Sequence, residues 1–394
     1  MIYYLSQYLT QFWGPFRLLQ SYALLLAGGA FTAALLALVL LPRLWDKLPR
    51  DRGKVLCKDL GGMKSAGKPT GAGFYVTLIC LPVILLFAPL KFWDLMAVAM
   101  LYAAMLFGYL DDRAMVPWGE LKKGLLDAVV SIAIAVFLFL GHSELINEAF
   151  FAQPNMLDVV YGNVPVYGNA PGFEGAHRMI VWLPFLKSVW LAPWWIYVPA
   201  TSFILWFTMN ATNCSDGVDG LAGTLTVITL AMLAVILYIV VGYRPVAHYF
   251  LIPVYSEAAR WAIVVMIVAG GFGGYLWFNA EPSKILMGDA GSRFLGILVA
   301  TASIMTGNPL LVLALSPIVL VNGGGGLGKL VLLRVAKKLG FDIGEDSVIR
   351  KVRFPLHDHC KKNLGWSNAQ VLMRFVLLQL IVMPALLILL IKIR

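Results

Sequence analysis

The chain has 394 residues, of which 60% are hydrophobic and 13% are charged, and its net charge is +10. Soluble domains have about 45–50% apolar and about 25% charged residues. This composition, with a mean hydropathy of +0.80, therefore excludes a soluble globular protein and a disordered chain. Four scattered cysteines without a CxxC pair indicate neither a zinc site nor a disulfide framework. The excess of basic residues matches cytoplasmic loops and anionic lipid headgroups, so we expect a membrane partner and no nucleic acid.

Apolar runs of about 20 residues recur along the whole chain, and each run of this length predicts a membrane-spanning helix. The pattern predicts an all-α polytopic membrane protein with about ten transmembrane helices, in a single integral-membrane domain over 1–394. The first run lacks the features of a cleaved signal peptide and is expected to be a retained span. The predicted spans are 21–41, 70–90, 92–110, 124–141, 194–213, 220–242, 261–280, 294–307, 309–328 and 375–391.

The loops on one side of this layout contain 23 of the 31 lysines and arginines. The positive-inside rule places that side in the cytoplasm and both termini outside. Residues 142–193 then form an extracytoplasmic insertion, in which 159–167 predicts a short hairpin. Four tryptophans are expected to form an interfacial belt on this side: Trp182, Trp190, Trp194 and Trp195. Between spans eight and nine, Gly307-Asn308-Pro309 predicts a turn.

Two adjacent carboxylates, Asp111 and Asp112, end the third span on the cytoplasmic side. Like charges this close favour a bound cation or a raised pKa, and carboxylates at a helix C-terminus oppose the helix dipole. The alternative interpretation is ordinary solvated charge at a helix end.

Two further cytoplasmic loops, 210–221 and 279–292, concentrate Asn, Asp and Gly. Oxygen ligands of the kind found in 210–221 suit Mg²⁺, and the helix N-terminus that follows this loop suits phosphate. Asp289 lies in a glycine-containing run that allows close approach of a ligand to the backbone. The alternatives are turns stabilised by Asn and Asp side chains and ordinary helix caps.

Two smaller polar stretches lie on the same side. His357 and His359 are expected to donate to a phosphate, and the alternative is a pair of surface histidines. Residues 67–73 combine Lys68 and Thr70 with small residues that suit an anion, and the alternative is a plain loop-to-helix junction. The joint placement of all these groups at one membrane face favours a catalytic cleft, because transporters more often place polar groups near the midplane.

The run from Gly323 to Lys329 fits the start of a nucleotide-binding P-loop. Leu330 follows it, where a P-loop requires Ser or Thr. We therefore predict a flexible, closely packed or kinked stretch of span nine.

In combination the motifs resemble the polyprenyl-phosphate N-acetylhexosamine-1-phosphate transferase superfamily, from about the first span to the tenth. Within it, the chain is most similar to the phospho-N-acetylmuramoyl-pentapeptide transferase family. Asp111-Asp112 match the DD pair, and 210–221 match the NAxNxxDGxDGL loop. Asn279 and the run 287–292 match the FN and MGDxGS segment.

Other family segments are matched with departures. The stretch 355–359 reads PLHDH where the family has PIHHH, and the Gly-Trp pair follows at 365–366. The family segment KxGTPTMGG begins with a lysine, and Ser65 stands at that position here. Lys64 or Lys68 is expected to take over the role of that lysine. The Lys-Gly-Leu stretch is present from Lys123, whereas a later family lysine is absent from 129–131.

The resemblance implies Mg²⁺-dependent transfer of phospho-MurNAc-pentapeptide from UDP-MurNAc-pentapeptide to undecaprenyl phosphate, with release of UMP. It implies a homodimer in the bacterial inner membrane with the active site facing the cytoplasm. Asp289 is expected to bind the metal, Asp111 to act as a base or to orient the lipid phosphate, and Asp112 to support the site. The residues expected to contact substrate are Lys68, Thr70, Lys123, Asn213, Asp216, Asp219, Asn279, His357 and His359.

Three alternatives remain. The nearest is a transferase of the same superfamily that uses UDP-GlcNAc or another UDP-HexNAc. A membrane transporter or lipid flippase belongs to a different class. An inactive scaffold of cell-wall synthesis is disfavoured, because uncompensated carboxylates at a membrane face cost stability.

Overall fold

The computed structural model describes residues 1–51, 66–114, 116, 118–152, 178–184, 189–250, 252–255, 258–340, 347 and 351–392. The helices are α1 (Ile2–Leu9), α2 (Tyr22–Leu44), α3 (Ala72–Phe87), α4 (Phe92–Arg113), α5 (Glu120–Ala152), α6 (Trp194–Cys214), α7 (Leu221–Val235), α8 (Arg244–Tyr249), α9 (Ala258–Asn279), α10 (Gly288–Ile304), α11 (Leu311–Leu315), α12 (Pro317–Val319), α13 (Gly325–Lys338), α14 (Leu356–Asn363) and α15 (Asn368–Lys392). Short 3₁₀ turns occupy Gly14–Gln20 and Trp45–Lys47, and π-helical turns occupy Ile236–Val241 and Leu320–Gly324. Strands β1 (Arg178–Trp182) and β2 (Val189–Pro193) pair antiparallel.

Within the described ranges, seven helical stretches are long and apolar enough to cross a membrane. They are Tyr22–Lys47, Phe92–Arg113, Glu120–Gly141, Leu221–Val241, Ala258–Asn279, Pro317–Lys338 and Asn368–Ile391. Helix α3 is a shorter apolar helix, and α6 and α10 coincide with the fifth and eighth predicted spans. The prediction of an all-α polytopic membrane protein is confirmed. The count of ten spans, the outward termini and the single-domain organisation stay predictions.

Helix α9 forms the centre of the bundle, because 67% of its spanning window is buried inside the protein, the largest share among the seven described spans. It packs against α2 and α7, while α10 packs between α4 and α6. Small residues allow close helix packing. At Gly274 of α9, an added Cβ would lie only 2.7 Å from the Ala34 carbonyl oxygen of α2. The placement of α10 brings its N-terminus beside the C-terminus of α4, where the acidic pair lies.

The predicted turn between spans eight and nine is present. Gly307 has a positive φ of +77°, and the Asn308 Oδ1 atom accepts a hydrogen bond of 3.0 Å from the Leu310 backbone. The ninth span is itself interrupted at Ser316. Gln379 of α15 bonds the backbone on both sides of this interruption, which satisfies polar groups that a continuous helix would pair internally.

The segment before α6 differs from its prediction. The predicted hairpin at 159–167 lies outside the described residues. Strands β1 and β2 pair instead, with Met179 opposite Ala192. The predicted belt is wrong for Trp182, which is fully buried and whose indole nitrogen donates to the Thr306 carbonyl at 2.8 Å. The other three tryptophans of the predicted belt are exposed.

The glycine run in span nine is closely packed, as predicted. A Cβ on Gly323 would lie 2.8 Å from the Ser215 hydroxyl of the polar loop, and one on Gly324 would lie 2.5 Å from the Phe207 ring. The Lys329 amine donates to the Val352 carbonyl at 2.7 Å. This lysine therefore pairs with the backbone, and the run serves helix packing.

Candidate active site

The predicted motifs meet where several helices end. Helix α4 ends, α5 begins, α6 ends and α10 begins within contact distance of one another. Each helix end leaves unpaired backbone groups, which must find partners in the surrounding loops. The polar and acidic side chains of the predicted motifs supply several of these partners.

Asp112 caps helix α10. Its two carboxylate oxygens accept hydrogen bonds of 3.0 Å from the Asp289 amide and 3.1 Å from the Ala290 amide. A carboxylate is favoured at a helix N-terminus, because the aligned peptide dipoles place partial positive charge there. Asp112 thereby connects α4 to the segment that carries Asp289, and its supporting role in the reaction stays a prediction.

Glycines allow three backbone segments to touch at this point. The amides of Ala72 and Gly73 donate to the carbonyls of Leu286 and Met287, both at 3.0 Å. Gly288 has a φ of +72°, and a Cβ there would lie 2.7 Å from the Gly71 nitrogen. These positions require glycine both for conformation and for space.

Lys123 joins two of the three predicted catalytic carboxylates. Its amine lies 2.5 Å from Asp111 Oδ2 and 3.4 Å from Asp289 Oδ2. The Trp118 amide donates to the other Asp111 oxygen at 2.7 Å. The Asp111 side chain is 7% exposed and the Asp289 side chain is 26% exposed. Asp289 is therefore the carboxylate of this pair that is more open to a ligand.

Two charged residues of this cluster were not predicted as site residues. Arg293 contacts Asp127 and also lies 3.6 Å from Asp289 Oδ2. Asp127 lies near the start of the predicted span 124–141, and Arg293 directly precedes the predicted span 294–307. The available signal was that each is an ionisable residue beside a long apolar run, where a partner is expected.

The charges of the cluster do not balance. It contains the carboxylates of Asp111, Asp112, Asp127 and Asp289 but two cations, those of Lys123 and Arg293. Acidic groups therefore outnumber basic groups at this point, an arrangement that favours a bound cation. No group of three or more His, Cys, Asp or Glu side chains is arranged around one point in the described residues. A single accessible carboxylate such as that of Asp289 suits Mg²⁺, which takes one or two protein carboxylates and completes its shell with water and substrate phosphates.

The loop from Asn213 to Leu221 connects this cluster to two neighbouring groups. Asn213 donates to the Ser292 hydroxyl at 3.1 Å, one turn into α10. Asp219 Oδ2 lies 3.7 Å from the Lys68 amine and accepts from the Ser283 amide at 3.3 Å. Lys68 also donates to the Ser283 hydroxyl at 2.9 Å. The loop thus contacts both the acidic cluster and the predicted anion-binding stretch.

Asn279 connects backbone segments. Its side-chain oxygen accepts from the Gly220 amide at 2.8 Å, and its nitrogen donates to the Ile285 carbonyl at 2.8 Å. The residue is buried, so its geometry is that of a link between loops, and substrate contact by Asn279 stays a prediction. Thr70 lies at the start of α3, where its amide donates to the Pro49 carbonyl at 2.9 Å.

Of the two predicted histidines, His357 reaches the polar loop. A Cβ on Gly217 would lie 2.8 Å from the His357 Cε1 atom, and Asn322 accepts from the His357 amide at 2.8 Å. His359 lies further along α14, where its Nδ1 accepts from the Arg353 amide at 3.3 Å. Asp216, in the same loop as Gly217, lies near Tyr275 of α9.

Contact between Gly217 and His357 leads to a testable result. Gly217→Ala is expected to displace the imidazole and to lower kcat/KM for UMP release about 10- to 100-fold, because a shift of about 1 Å in a site costs up to about 100-fold. The matched control is Gly273→Ala in α9, where a Cβ would meet nothing within 4 Å. Equal kinetics for both variants and the wild type would contradict a role for this contact.

The fold and site together define a polytopic membrane protein with an acidic, cation-paired site where helix ends meet. A family model described as glycosyl transferase family 4 matches residues 95–307. Over 374 residues the chain is 39% identical to a protein of Treponema pallidum (strain Nichols) named phospho-N-acetylmuramoyl-pentapeptide-transferase, covering 94% of this chain and 91% of the relative. A protein of the same name from Brachyspira hyodysenteriae is 27% identical over 391 residues, covering 97% of both chains. One from Borreliella burgdorferi (strain ZS7) is 28% identical over 371 residues, covering 93% of this chain and 95% of the relative.

The chain therefore belongs to glycosyl transferase family 4, and its predicted similarity to the phospho-N-acetylmuramoyl-pentapeptide-transferases is confirmed. The matched range contains Asp111, Asp112 and Asp289 but ends before the His357 helix. The assigned roles of individual site residues stay predictions.

Proposed function

We propose that the protein transfers phospho-MurNAc-pentapeptide from UDP-MurNAc-pentapeptide to undecaprenyl phosphate. The products are a lipid-linked diphosphate sugar, which is the first lipid-linked peptidoglycan precursor, and UMP. The observation that carries the proposal is the cluster around Asp289 at a helix N-terminus, in a chain that resembles proteins named for this reaction over nearly its whole length. The reaction would take place on the cytoplasmic face of the bacterial inner membrane, and the homodimer remains part of the proposal.

The reaction exchanges one phosphoanhydride for another. An oxygen of the lipid phosphate forms a bond to the sugar-bearing phosphorus, and the bond between that phosphorus and the UMP oxygen breaks. The electron pair of the broken bond stays on UMP. Because one anhydride replaces another, no ATP is needed, and the barrier is dominated by bringing anionic groups together.

Mg²⁺ is the proposed cofactor, and Asp289 is the residue that would hold it. When bound, the ion supplies neutralisation of the substrate diphosphate and orients it for in-line attack. Asp289 fits this role because its carboxylate is an oxygen ligand, is the more exposed of the Lys123-linked pair, and lies in a cluster with excess negative charge.

The other charged residues would position and balance the phosphates. Lys123 lies between Asp111 and Asp289, where its charge would meet an incoming phosphate. Asp111 already accepts hydrogen bonds from Lys123 and from the Trp118 amide. These donors engage both Asp111 oxygens, so the geometry supports orienting over proton acceptance. A lipid phosphate is already largely ionised near pH 7, and a base contributes less than charge positioning.

Lys68 and Asp219 would act on the nucleotide side, and His357 would contact phosphate or sugar. The Lys68 amine donates to Ser283 beside Asp219. These contacts hold the Lys68 cation near the loop that leads to Asp289. His357 packs on Gly217, two residues before Asp219 in the same Asn213–Leu221 loop. The substrate would then lie against this loop, in contact with both groups.

The test compares two sugar nucleotides in the detergent-purified protein with undecaprenyl phosphate and Mg²⁺. We expect UMP release with UDP-MurNAc-pentapeptide and little with UDP-GlcNAc. Release with UDP-GlcNAc alone would move the protein to another glycan pathway and contradict the proposed substrate. Uptake of nucleotide into vesicles without UMP formation would contradict the transferase and favour a transporter.

A further inference from the structure

Within the acidic cluster, two members form a buried ion pair that has been given no role in the reaction above. Arg293 of α10 and Asp127 of α5 are 4% and 2% exposed, and their side chains are in direct contact. Removing two charges from water costs several kcal/mol per ion, and apolar residues in place of a buried pair are often as stable or more stable. Fold stability therefore gives no reason for charged residues at these positions.

The pair is also incompletely satisfied. Asp127 Oδ2 and Arg293 Nε are buried and make no hydrogen bond within the part of the chain that the structure describes. A guanidinium can form two parallel bonds with one carboxylate, which would engage more of these atoms. Here the two terminal nitrogens divide instead, with Nη1 on Asp127 and Nη2 3.6 Å from Asp289 Oδ2.

The divided contact restrains Asp289 from a second direction. Lys123 and Arg293 approach the same carboxylate oxygen, at 3.4 Å and 3.6 Å. Lys123 and Asp127 lie four residues apart on α5 and so share one face of that helix. One face of α5 thus provides Lys123, which contacts Asp289 directly, and Asp127, which anchors Arg293.

We propose that Arg293 is a positioning residue, anchored by Asp127, that holds the Asp289 carboxylate in the orientation the reaction requires. This inference rests on the proposed function and assigns part of the site to residues outside the recognised motifs. Asp127 has the further task of keeping the guanidinium in place and compensated, since a buried cation without a partner is strongly destabilising.

The main test is the double variant Asp127→Leu/Arg293→Leu, which removes both charges at once. We expect kcat for UMP release to fall at least about 10-fold, while KM for UDP-MurNAc-pentapeptide changes less than about 3-fold, because orientation acts mainly in the transition state. The apparent Tm in EDTA is expected to stay near the wild-type value.

A second readout does not depend on turnover. A ligand that binds the folded state raises the apparent Tm. We expect added Mg²⁺ to raise the Tm of the wild type and to raise that of the double variant less, because the carboxylate is no longer held.

A matched control pair lies at the other end of α4. Arg260 is buried and its Nη1 atom lies 3.1 Å from Asp94 Oδ2. Asp94 is about 25 Å from the acidic cluster along the helix, at 1.5 Å per residue. Asp94→Leu/Arg260→Leu is expected to keep the wild-type kcat and the wild-type response of Tm to Mg²⁺.

The conservative variant Arg293→Lys keeps a cation beside Asp127 and addresses the case in which the double variant does not fold. A lysine carries a single nitrogen in a compact ammonium. It cannot place separate nitrogens on Asp127 and Asp289 as the planar guanidinium does. We expect a folded protein with a wild-type Tm in EDTA and a reduced kcat. Wild-type kcat in a folded variant would overturn the inference.

The two proposals fail in different ways. If the wild type releases UMP from neither UDP-MurNAc-pentapeptide nor UDP-GlcNAc, the proposed function is contradicted. The Tm comparison would then decide the role of Arg293. A rise in Tm with Mg²⁺ that is equal in the wild type and the double variant, or absent from the wild type, would overturn the positioning role.

Discussion

Asp289→Asn is expected to lower the rate of UMP release at least about 100-fold, since loss of one such electrostatic contribution costs about 10²–10³-fold. The substitution keeps the size of the side chain but removes the negative charge that would hold Mg²⁺. The two cations near Asp289 retain partners, because Lys123 still pairs with Asp111 and Arg293 with Asp127. The fold should therefore survive.

The measurement is the initial rate of UMP release, together with the apparent Tm of the purified variant. Asp289→Ala should lose activity in the same way and also keep the fold. The control is Asp46→Asn. Asp46 is an exposed carboxylate that lies 3.6 Å from Arg50, and exposed ion pairs contribute only about 0–1 kcal/mol to stability. Wild-type turnover by Asp289→Asn would contradict the metal assignment.

Asp112→Ala is expected to lower both stability and activity. It leaves the Asp289 and Ala290 amides at the start of α10 without their acceptors, and loss of a helix cap costs about 0.5–2 kcal/mol. The same amides position Asp289, so the rate of UMP release should fall at least about 10-fold, as expected when a site residue shifts by a fraction of an ångström.

The matched variant is Asp112→Asn, which retains one acceptor oxygen and should recover part of the lost Tm. Unfolding by heat and UMP release measured on the same preparations separate the two effects. Asp112→Ala with both the wild-type Tm and the wild-type rate would show that the cap contributes nothing. This pattern differs from that of Asp289→Asn, where activity falls and stability is kept.

The helical fold and the meeting of the predicted motifs follow from local sequence signals. Apolar runs of spanning length predict helices without any tertiary information, and the charge bias of the loops places Asp111, Asp112 and Asp289 on one side. The structure brings these three together through the Asp112 cap and the Lys123 bridge. Residues at helix ends on the same side have few alternative positions, which is why this part was predictable.

The Arg293–Asp127 pair was not predictable from the same signals, because its members are 166 residues apart. Arg293 directly follows the polar loop 279–292 and Asp127 lies in an apolar run, so only the cost of an isolated charge beside an apolar helix pointed to a partner for each. Asn279 shows the reverse case. Its position in a polar loop suggested a substrate contact, but the geometry that assigns its amide to two backbone groups depends on the packed loops.

The outer segment shows a further limit of local patterns. Trp182 lies in a stretch where aromatic residues suggest a membrane interface, and its burial depends on the turn at Gly307, which accepts from the Trp182 amide at 3.0 Å. A contact across more than a hundred residues decides whether that indole faces lipid or protein. Composition alone gives the same expectation for all four tryptophans.

The most direct test of the central claim is the metal dependence of product formation. Purified wild-type protein would be incubated with undecaprenyl phosphate and UDP-MurNAc-pentapeptide in Mg²⁺, in EDTA, and in EDTA followed by excess Mg²⁺. We predict equal amounts of UMP and lipid-linked product with Mg²⁺, loss of both in EDTA, and recovery when Mg²⁺ is restored. Undiminished formation of both products in EDTA, by the same folded protein, would contradict an Asp289-centred metal site.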